Sequence, residues 1–209
     1  MDASSQEGRW HQVLGIRSLY TENVLVVSEC GEQFLRNELG KYFDLKEESI
    51  GPTNIYLGGK ISKVVLDNGL TAWSFSSLQY VQTAVKNVEK SLANQDAKFP
   101  ARANTPLSSN YCPKIDVSGE MQPAEASYYQ SLIGILRWVV DIGRVDICCE
   151  VSMMSSHRAL PREGHLKELF HIFAYLRKYH NSEMVFDLND PFVDERQFEE
   201  KDWNTSEFG

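Results

Sequence analysis

Tyr128-Tyr129-Gln130-Ser131-Leu132-Ile133-Gly134-Ile135-Leu136-Arg137-Trp138-Val139-Val140 opens the stretch, running to Tyr179, whose reading decides the fold. Leu132, Ile135, Leu136, Val139 and Val140 recur at helical spacing and form one apolar stripe. Ile147, Val151 and Met154 continue the pattern. Leu166, Leu169, Phe170, Phe173, Leu176 and Tyr179 form a third stripe, with Lys167, Glu168, His171, Arg177 and Lys178 expected on its solvent face. Three amphipathic helices with short connections must pack on one another, because none buries its stripe alone.

Composition sets the class. The chain has 209 residues, 42% of them hydrophobic and 24% charged, enough to bury a core. It contains no apolar run of about 18 residues, so no membrane span is expected. Its first residues, Met1-Asp2-Ala3-Ser4-Ser5-Gln6-Glu7-Gly8, are too polar for a signal peptide. The four cysteines form no Cys-x-x-Cys pair and read as reduced thiols of an intracellular protein. The net charge is −8: residues 1–60 contribute −3, 61–123 and 124–180 contribute +1 each, and 181–209 contribute −7. The acidity therefore sits in the tail. The body lacks the basic face of a strong nucleic-acid binder.

Upstream, His11 to Ser28 reads as a hairpin that turns at Tyr20-Thr21-Glu22-Asn23. Glu29 to Phe43 reads as a helix capped by Ser28, with Phe34, Leu35, Leu39, Tyr42 and Phe43 inward. Ile55–Leu66 and Leu70–Phe75 form a second hairpin around Asp67-Asn68-Gly69. Ser76-Ser77-Leu78-Gln79 matches a capping box for a helix reaching about Leu92. Pro100, Pro106, Pro113 and Pro123 mark residues 93–123 as an extended linker. Phe192, Phe198 and Trp203 are expected to pin an irregular tail to the body.

Several motifs, in order, resemble the reverse transcriptases of Ty1/copia-type retrotransposons. Tyr129-Gln130-Ser131-Leu132-Ile133-Gly134-Ile135-Leu136, Arg144-Val145-Asp146-Ile147 and Ala174-Tyr175-Leu176 are similar to blocks following the palm in that family. Asn104-Thr105-Pro106-Leu107 resembles a Thr-Pro-Leu segment before them, and Ile55-Tyr56-Leu57-Gly58 a Leu-Gly strand. Val145 stands where the family has Pro, a tolerable change at a helix start. The resemblance spans about Trp10 to Trp203 and implies an α+β fold. Residues 1–92 would be a palm remnant, 93–123 a Pro-containing linker, 124–180 a three-helix thumb or connection block, and 181–209 an acidic tail preceding a ribonuclease H domain.

The resemblance also implies where chemistry would reside. The family uses two Mg²⁺ ions held by an early Asp and by the Asp pair of a Tyr-x-Asp-Asp hairpin. Here that hairpin is Tyr20-Thr21-Glu22-Asn23. Glu22 keeps a charge on a side chain longer by one methylene, a displacement of about 1 Å that can cost roughly a hundredfold in rate. Asn23 removes a charge. The early Asp and the fingers would lie before Met1. The chain reads as a truncated, degenerate Pol polyprotein fragment, catalytically inactive, with no cofactor expected in this copy. Read without the resemblance, Thr21-Glu22-Asn23 is an ordinary polar turn.

Other readings stay beside this one. Lys86, Lys90, Arg137, Arg177 and Lys178 are candidate contacts to an RNA–DNA hybrid, or simply solvated helix faces. Trp73 and Trp138 are candidates for base stacking or for core packing. Cys148, Cys149, His157 and His165 match no standard zinc spacing. His171 and His180 are expected on solvated helix surface, and His157 and His165 near helix ends. No Gly-rich phosphate loop and no Gly-x-Ser-x-Gly elbow is present. The alternative function is a repurposed, non-enzymatic module binding nucleic acid or protein, with weak affinity. The sequence says nothing of oligomeric state.

Overall fold

The computed structural model describes residues 16–20, 23–28 and 30–187. The fold is α+β. An antiparallel hairpin of β1 (Ile16–Tyr20) and β2 (Asn23–Val27) precedes α1 (Gly31–Asn37). A four-stranded antiparallel sheet follows, ordered β3 (Ile55–Tyr56), β4 (Gly59–Val65), β5 (Thr71–Ser76) and β6 (Glu183–Phe186). The helices are α2 (Leu78–Ala93), α3 (Pro123–Asp141), α4 (Cys148–Ser155) and α5 (Glu163–Lys178).

The expected three-helix block is present as α3, α4 and α5, and its core is one cluster. Tyr129, Leu132, Ile133, Leu136 and Val139 of α3 meet Val151 and Met154 of α4 and Leu169, Ile172, Phe173 and Leu176 of α5. Periodicity placed the α3 stripe about one residue off: Tyr129 and Ile133 are buried, while Ile135 and Val140 are only partly so. Pro123 starts α3, where its missing N–H costs nothing, and Glu125 accepts the Gln122 N–H at 3.1 Å.

Helix α2 also belongs to this core. Val81, Ala84, Val85, Val88 and Leu92 are buried in the same cluster. A division after residue 92 is therefore not a division of the core. Between α2 and α3 the segment carries a short 3₁₀ turn at Pro113–Ile115 and an isolated antiparallel bridge from Glu120 to Arg162, in line with its prolines. It is nevertheless packed rather than extended into solvent: Phe99, Ala103 and Pro113 are buried, and Leu107, Tyr111 and Met121 lie against the helices.

Three further expectations change. The first helix is α1 alone, seven residues long, with Cys30 rather than Ser28 at its N-cap. It gives way to a 3₁₀ turn at Leu39–Lys41, and Tyr42 and Phe43, expected inward, are 79% and 63% exposed. The stretch Ile55–Leu66 is not one strand. Leu57 and Gly58 take positive φ (51° and 83°) and turn β3 tightly into β4, with Tyr56 opposite Gly59. The Leu-Gly pair is thus a turn. Ser77 makes no side-chain cap to α2, so the capping box is not formed; Leu78 N–H instead reaches Ser76 Oγ at 3.4 Å. The turn at Asp67-Asn68-Gly69 appears as expected, with Gly69 at φ 80°.

The start of the acidic tail is regular. Glu183–Phe186 pairs with β5, with Trp73 opposite Phe186 and Ser76 opposite Glu183. Phe192, Phe198 and Trp203 lie outside the described residues.

Candidate nucleic-acid interface

The hairpin carrying the candidate metal positions is described over Ile16–Tyr20 and Asn23–Val27; residues 11–15, where the first strand was expected to begin, lie outside the described residues, and Tyr20 and Asn23, expected in the turn, are paired in the strands. The ladder runs from Ile16 opposite Val27 to Tyr20 opposite Asn23, which closes a two-residue connection. Thr21 and Glu22 lie outside the described residues. Among the described residues no group of three or more His, Cys, Asp or Glu side chains is arranged to hold a metal ion.

Of the five candidate phosphate contacts, the fold brings two together. Lys86 of α2 and Arg177 of α5 line a shallow groove of about 230 Å³, with Gln82, Val85, Glu89 and His180. The α2 core stripe turns Val81, Ala84, Val85 and Val88 inward, so Lys86 and Lys90, four residues apart, share the solvent side. Arg177 Nη1 donates to Glu89 Oε1 at 2.8 Å, and its guanidinium stands 5.3 Å from the Phe99 ring centroid. His180 Nδ1–H donates to the Arg177 carbonyl at 2.9 Å. Lys178 turns elsewhere, to Asn104 Oδ1 at 2.5 Å. Arg137 is exposed on α3 and does not line the groove.

The electrostatics of this groove are modest. Glu89 offsets Arg177, and the groove sits at the C-terminal end of α5, where the helix dipole favours cations over anions. Lys86, with Lys90 a turn away, is the main free attraction for a phosphate. One or two such contacts give weak, salt-sensitive binding.

Among the described histidines, His157 and His165 lie near helix ends as expected, whereas His171 and His180, expected on solvated helix surface, are each only partly exposed, His180 past the end of α5. His165 is buried. Its Nδ1 accepts the Arg162 N–H at 3.0 Å, and its Nε2 lies 3.1 Å from the Pro113 carbonyl. With both nitrogens committed, His165 is no zinc ligand, and Cys148 and Cys149 are exposed at the start of α4. His157 stacks on His165 at 4.4 Å. Burial, His165 and Lys114 push its pKa down against the pull of Asp116. His171 is half-buried rather than solvated, with Nε2 3.1 Å from the Thr105 carbonyl and Nδ1 3.2 Å from Ser108 Oγ. Glu168, expected on the outer face, is buried and accepts both the Ser108 N–H (3.0 Å) and the Ser108 hydroxyl (2.8 Å).

Ser108, His171 and Glu168 are the residue types of a hydrolytic triad in the wrong arrangement. The carboxylate holds the serine rather than the histidine, and the far histidine nitrogen faces a carbonyl. The cluster clamps the Asn104-Thr105-Pro106-Leu107 segment to α5. The sequence signal was faint: Glu168 and His171 are three apart on one helix, but their partner lies sixty residues upstream.

The Arg144-Val145-Asp146-Ile147 motif is also architectural. Arg144 is 1% exposed and grips Asp146 through Nε (2.8 Å) and Nη2 (2.7 Å). Tyr175 of α5 donates its hydroxyl to Asp146 Oδ2 at 3.1 Å, so the pair ties the α3–α4 connection to α5. Burial raises the Asp146 pKa, but the Arg144 hydrogen bonds and charge and the Tyr175 hydroxyl outweigh it and hold it low.

A second carboxylate seats the start of α5. Asp116 accepts from Tyr111 Oη (2.7 Å), Ser118 Oγ (2.5 Å) and Ser118 N–H (2.8 Å), and Gly164 N–H donates to Ser118 Oγ at 2.8 Å. Burial raises the Asp116 pKa; Ser118, Tyr111 and His165 more than compensate and bring it to about 2.

Compared with protein-family models, curated proteins and solved structures, the chain matches none. No helix among the described residues is long and apolar enough to cross a membrane.

Proposed function

We propose that this chain derives from the palm end and thumb region of a Ty1/copia-type reverse transcriptase and is catalytically silent. The observation that carries the reading is the β1–β2 hairpin. Its ladder ends at Tyr20 opposite Asn23, the positions where the family resemblance calls for a metal-binding turn. In that turn Glu22 and Asn23 replace the Asp pair. Two Mg²⁺ ions need hard anionic oxygens at short fixed distances. A longer side chain and a neutral amide supply one misplaced carboxylate between them. The α3–α5 block, in this reading, is the thumb, and its Arg144–Asp146 pair holds its shape rather than a substrate.

The test is primer extension on an RNA template with Mg²⁺ or Mn²⁺. The expected result is none. Template-dependent extension that disappears in Glu22→Ala would overturn the proposal.

The second reading, a non-enzymatic nucleic-acid module, is favoured by one observation, the convergence of Lys86 and Arg177 on the α2–α5 groove. Fluorescence polarisation with an RNA–DNA hybrid separates the two. Sub-micromolar affinity near physiological salt that falls at least tenfold in Lys86→Ala/Lys90→Ala supports the module. Weaker, salt-abolished binding supports the silent remnant.

A further inference from the structure

The segment before α3 is clipped to the start of α5 by hydrogen bonds around two histidines. Arg162 Nη1 donates to the Ser118 carbonyl at 2.6 Å, Gly164 N–H to Ser118 Oγ at 2.8 Å, and Glu163 N–H to the Gly119 carbonyl at 3.0 Å. Met121 N–H reaches the Pro161 carbonyl at 3.2 Å. In the middle His165 offers Nδ1 to the Arg162 N–H and sets Nε2 against the Pro113 carbonyl. His157, from the α4–α5 connection, stacks on it with ring centroids 4.4 Å apart. The clip is built around uncharged rings. A nitrogen that accepts an N–H bond carries no proton, so a proton on His165 Nδ1 would face the Arg162 N–H donor to donor. Two charged rings at stacking distance would also repel. The neighbours do not offset this. Lys114 adds a positive charge, Arg158 is exposed, and Arg162 is engaged by Ser118 and, at 3.5 Å, by Glu120. Glu163 lies against Gly119, and Tyr129 of α3, 6.4 Å from His165, gives its hydroxyl to the Met154 carbonyl. Asp116 attracts a cation, but its oxygens already accept from Tyr111 and Ser118. Burial, His165 and Lys114 outweigh it and hold the His157 pKa below the ordinary 6.5.

We propose that the His157–His165 stack is a pH-operated catch. Near neutral pH it closes residues 113–121 onto the start of α5. Mild acid charges the rings and releases that segment, while the apolar cluster of α2–α5 stays folded. The release is local because the hold is mostly polar: Ile115 and Val117 are 73% and 93% exposed and add no apolar anchor. Linkage sets the sign. A histidine that stays neutral while the catch is closed, and takes its proton at the ordinary pKa of 6.5 once it is open, leaves closure intact above that pH and weakens it below. Between about pH 7.5 and about pH 5.5, opening should rise about tenfold for each such histidine.

Amide hydrogen exchange of the full chain tests the proposal, read by mass spectrometry on peptides covering 113–121 and the start of α5 and corrected for the intrinsic pH dependence of exchange. Opening there should rise about tenfold or more from the higher pH to the lower, with α2 and the middle of α3 unchanged. His157→Phe keeps a ring on the stack that cannot charge, and should cut that ratio by roughly threefold or more. Adding His165→Asn, whose Oδ1 still accepts the Arg162 N–H, should bring the ratio close to one. His157→Phe alone keeps the test valid should the double variant fold poorly. A pH-independent opening of 113–121 in the unaltered chain overturns the proposal. So does a ratio that His157→Phe leaves unchanged, or an acceleration shared equally by the whole chain.

Discussion

Gly164→Ala is the sharpest probe of how the helical core is seated. Gly164 is the second residue of α5. A methyl placed there would meet Asp116 Oδ2 at 1.8 Å and Asp116 Cγ at 2.7 Å. Alanine in a helix is worth up to about 1 kcal/mol over glycine, so the substitution would ordinarily stabilise. Here the carboxylate must retreat by more than 1 Å. The Tyr111 and Ser118 hydroxyls hold it at 2.7 and 2.5 Å, so it cannot move without losing at least one of them. Hydrogen bonds to a charged group are worth about 1.5–3 kcal/mol each. The loss exceeds the helix gain, and a net destabilisation of about 1–3 kcal/mol is expected. Urea unfolding followed by far-ultraviolet circular dichroism measures it. The decisive comparison repeats Gly164→Ala in an Asp116→Ala background, where the obstacle is gone and the change should be neutral or mildly stabilising. Equal effects in both backgrounds, or a stabilised Gly164→Ala single variant, would refute the close approach.

Other outcomes follow from the same geometry. With its pKa lowered from 3.8 to about 2, Asp116 contributes stability that is fully present above pH 4 and lost as the pH falls towards 2. Discounted for its partial exposure, that contribution is about 1–2 kcal/mol, and Asp116→Asn should flatten this part of the acid-unfolding profile. Asp146→Ala should cost roughly 2–4 kcal/mol, because it leaves the Arg144 guanidinium buried without its carboxylate. In denaturant unfolding, an Arg144→Met/Asp146→Val pair should lose less than Asp146→Ala alone; the reverse order would sink the argument. Limited proteolysis should cut the exposed stretch between residues 42 and 54 before the segment 94–122, which is anchored by Phe99, Ala103, Pro113 and the Glu168 clamp. A first cut within 94–122 would show that this anchoring is weak.

Much of the fold is local, and that part was legible in the sequence. Helices α3 and α5 follow from apolar residues at helical spacing, and the β4–β5 hairpin from two alternating runs around Asn68-Gly69. The β1–β2 strands follow from Val24-Leu25-Val26-Val27 after a polar turn. Each depends on neighbours within a few residues, which is the range periodicity reports. The candidate groove was legible only as separate lysines and arginines, because nothing local says that Lys86 and Arg177 converge.

Tertiary structure decided the rest. Strand β6 reaches β5 across more than one hundred residues, a pairing that depends on where α5 ends and not on the four residues themselves. Glu168 and His171 read as solvent-facing because charge and polarity usually are. Glu168 is buried and His171 half-buried because Ser108 and Thr105 arrive from a distant segment to satisfy them, and burying a polar group without such partners is costly. Arg144 is only partly met in this way: Asp146 takes its Nε and Nη2 and the Tyr175 ring of α5 lies 6.0 Å from its guanidinium, while its Nη1 is buried without a hydrogen-bond partner. Composition and spacing determined which segments had an apolar face to hide. Which polar groups went in with them was settled only when the helices met and their hydrogen-bond partners fell within reach.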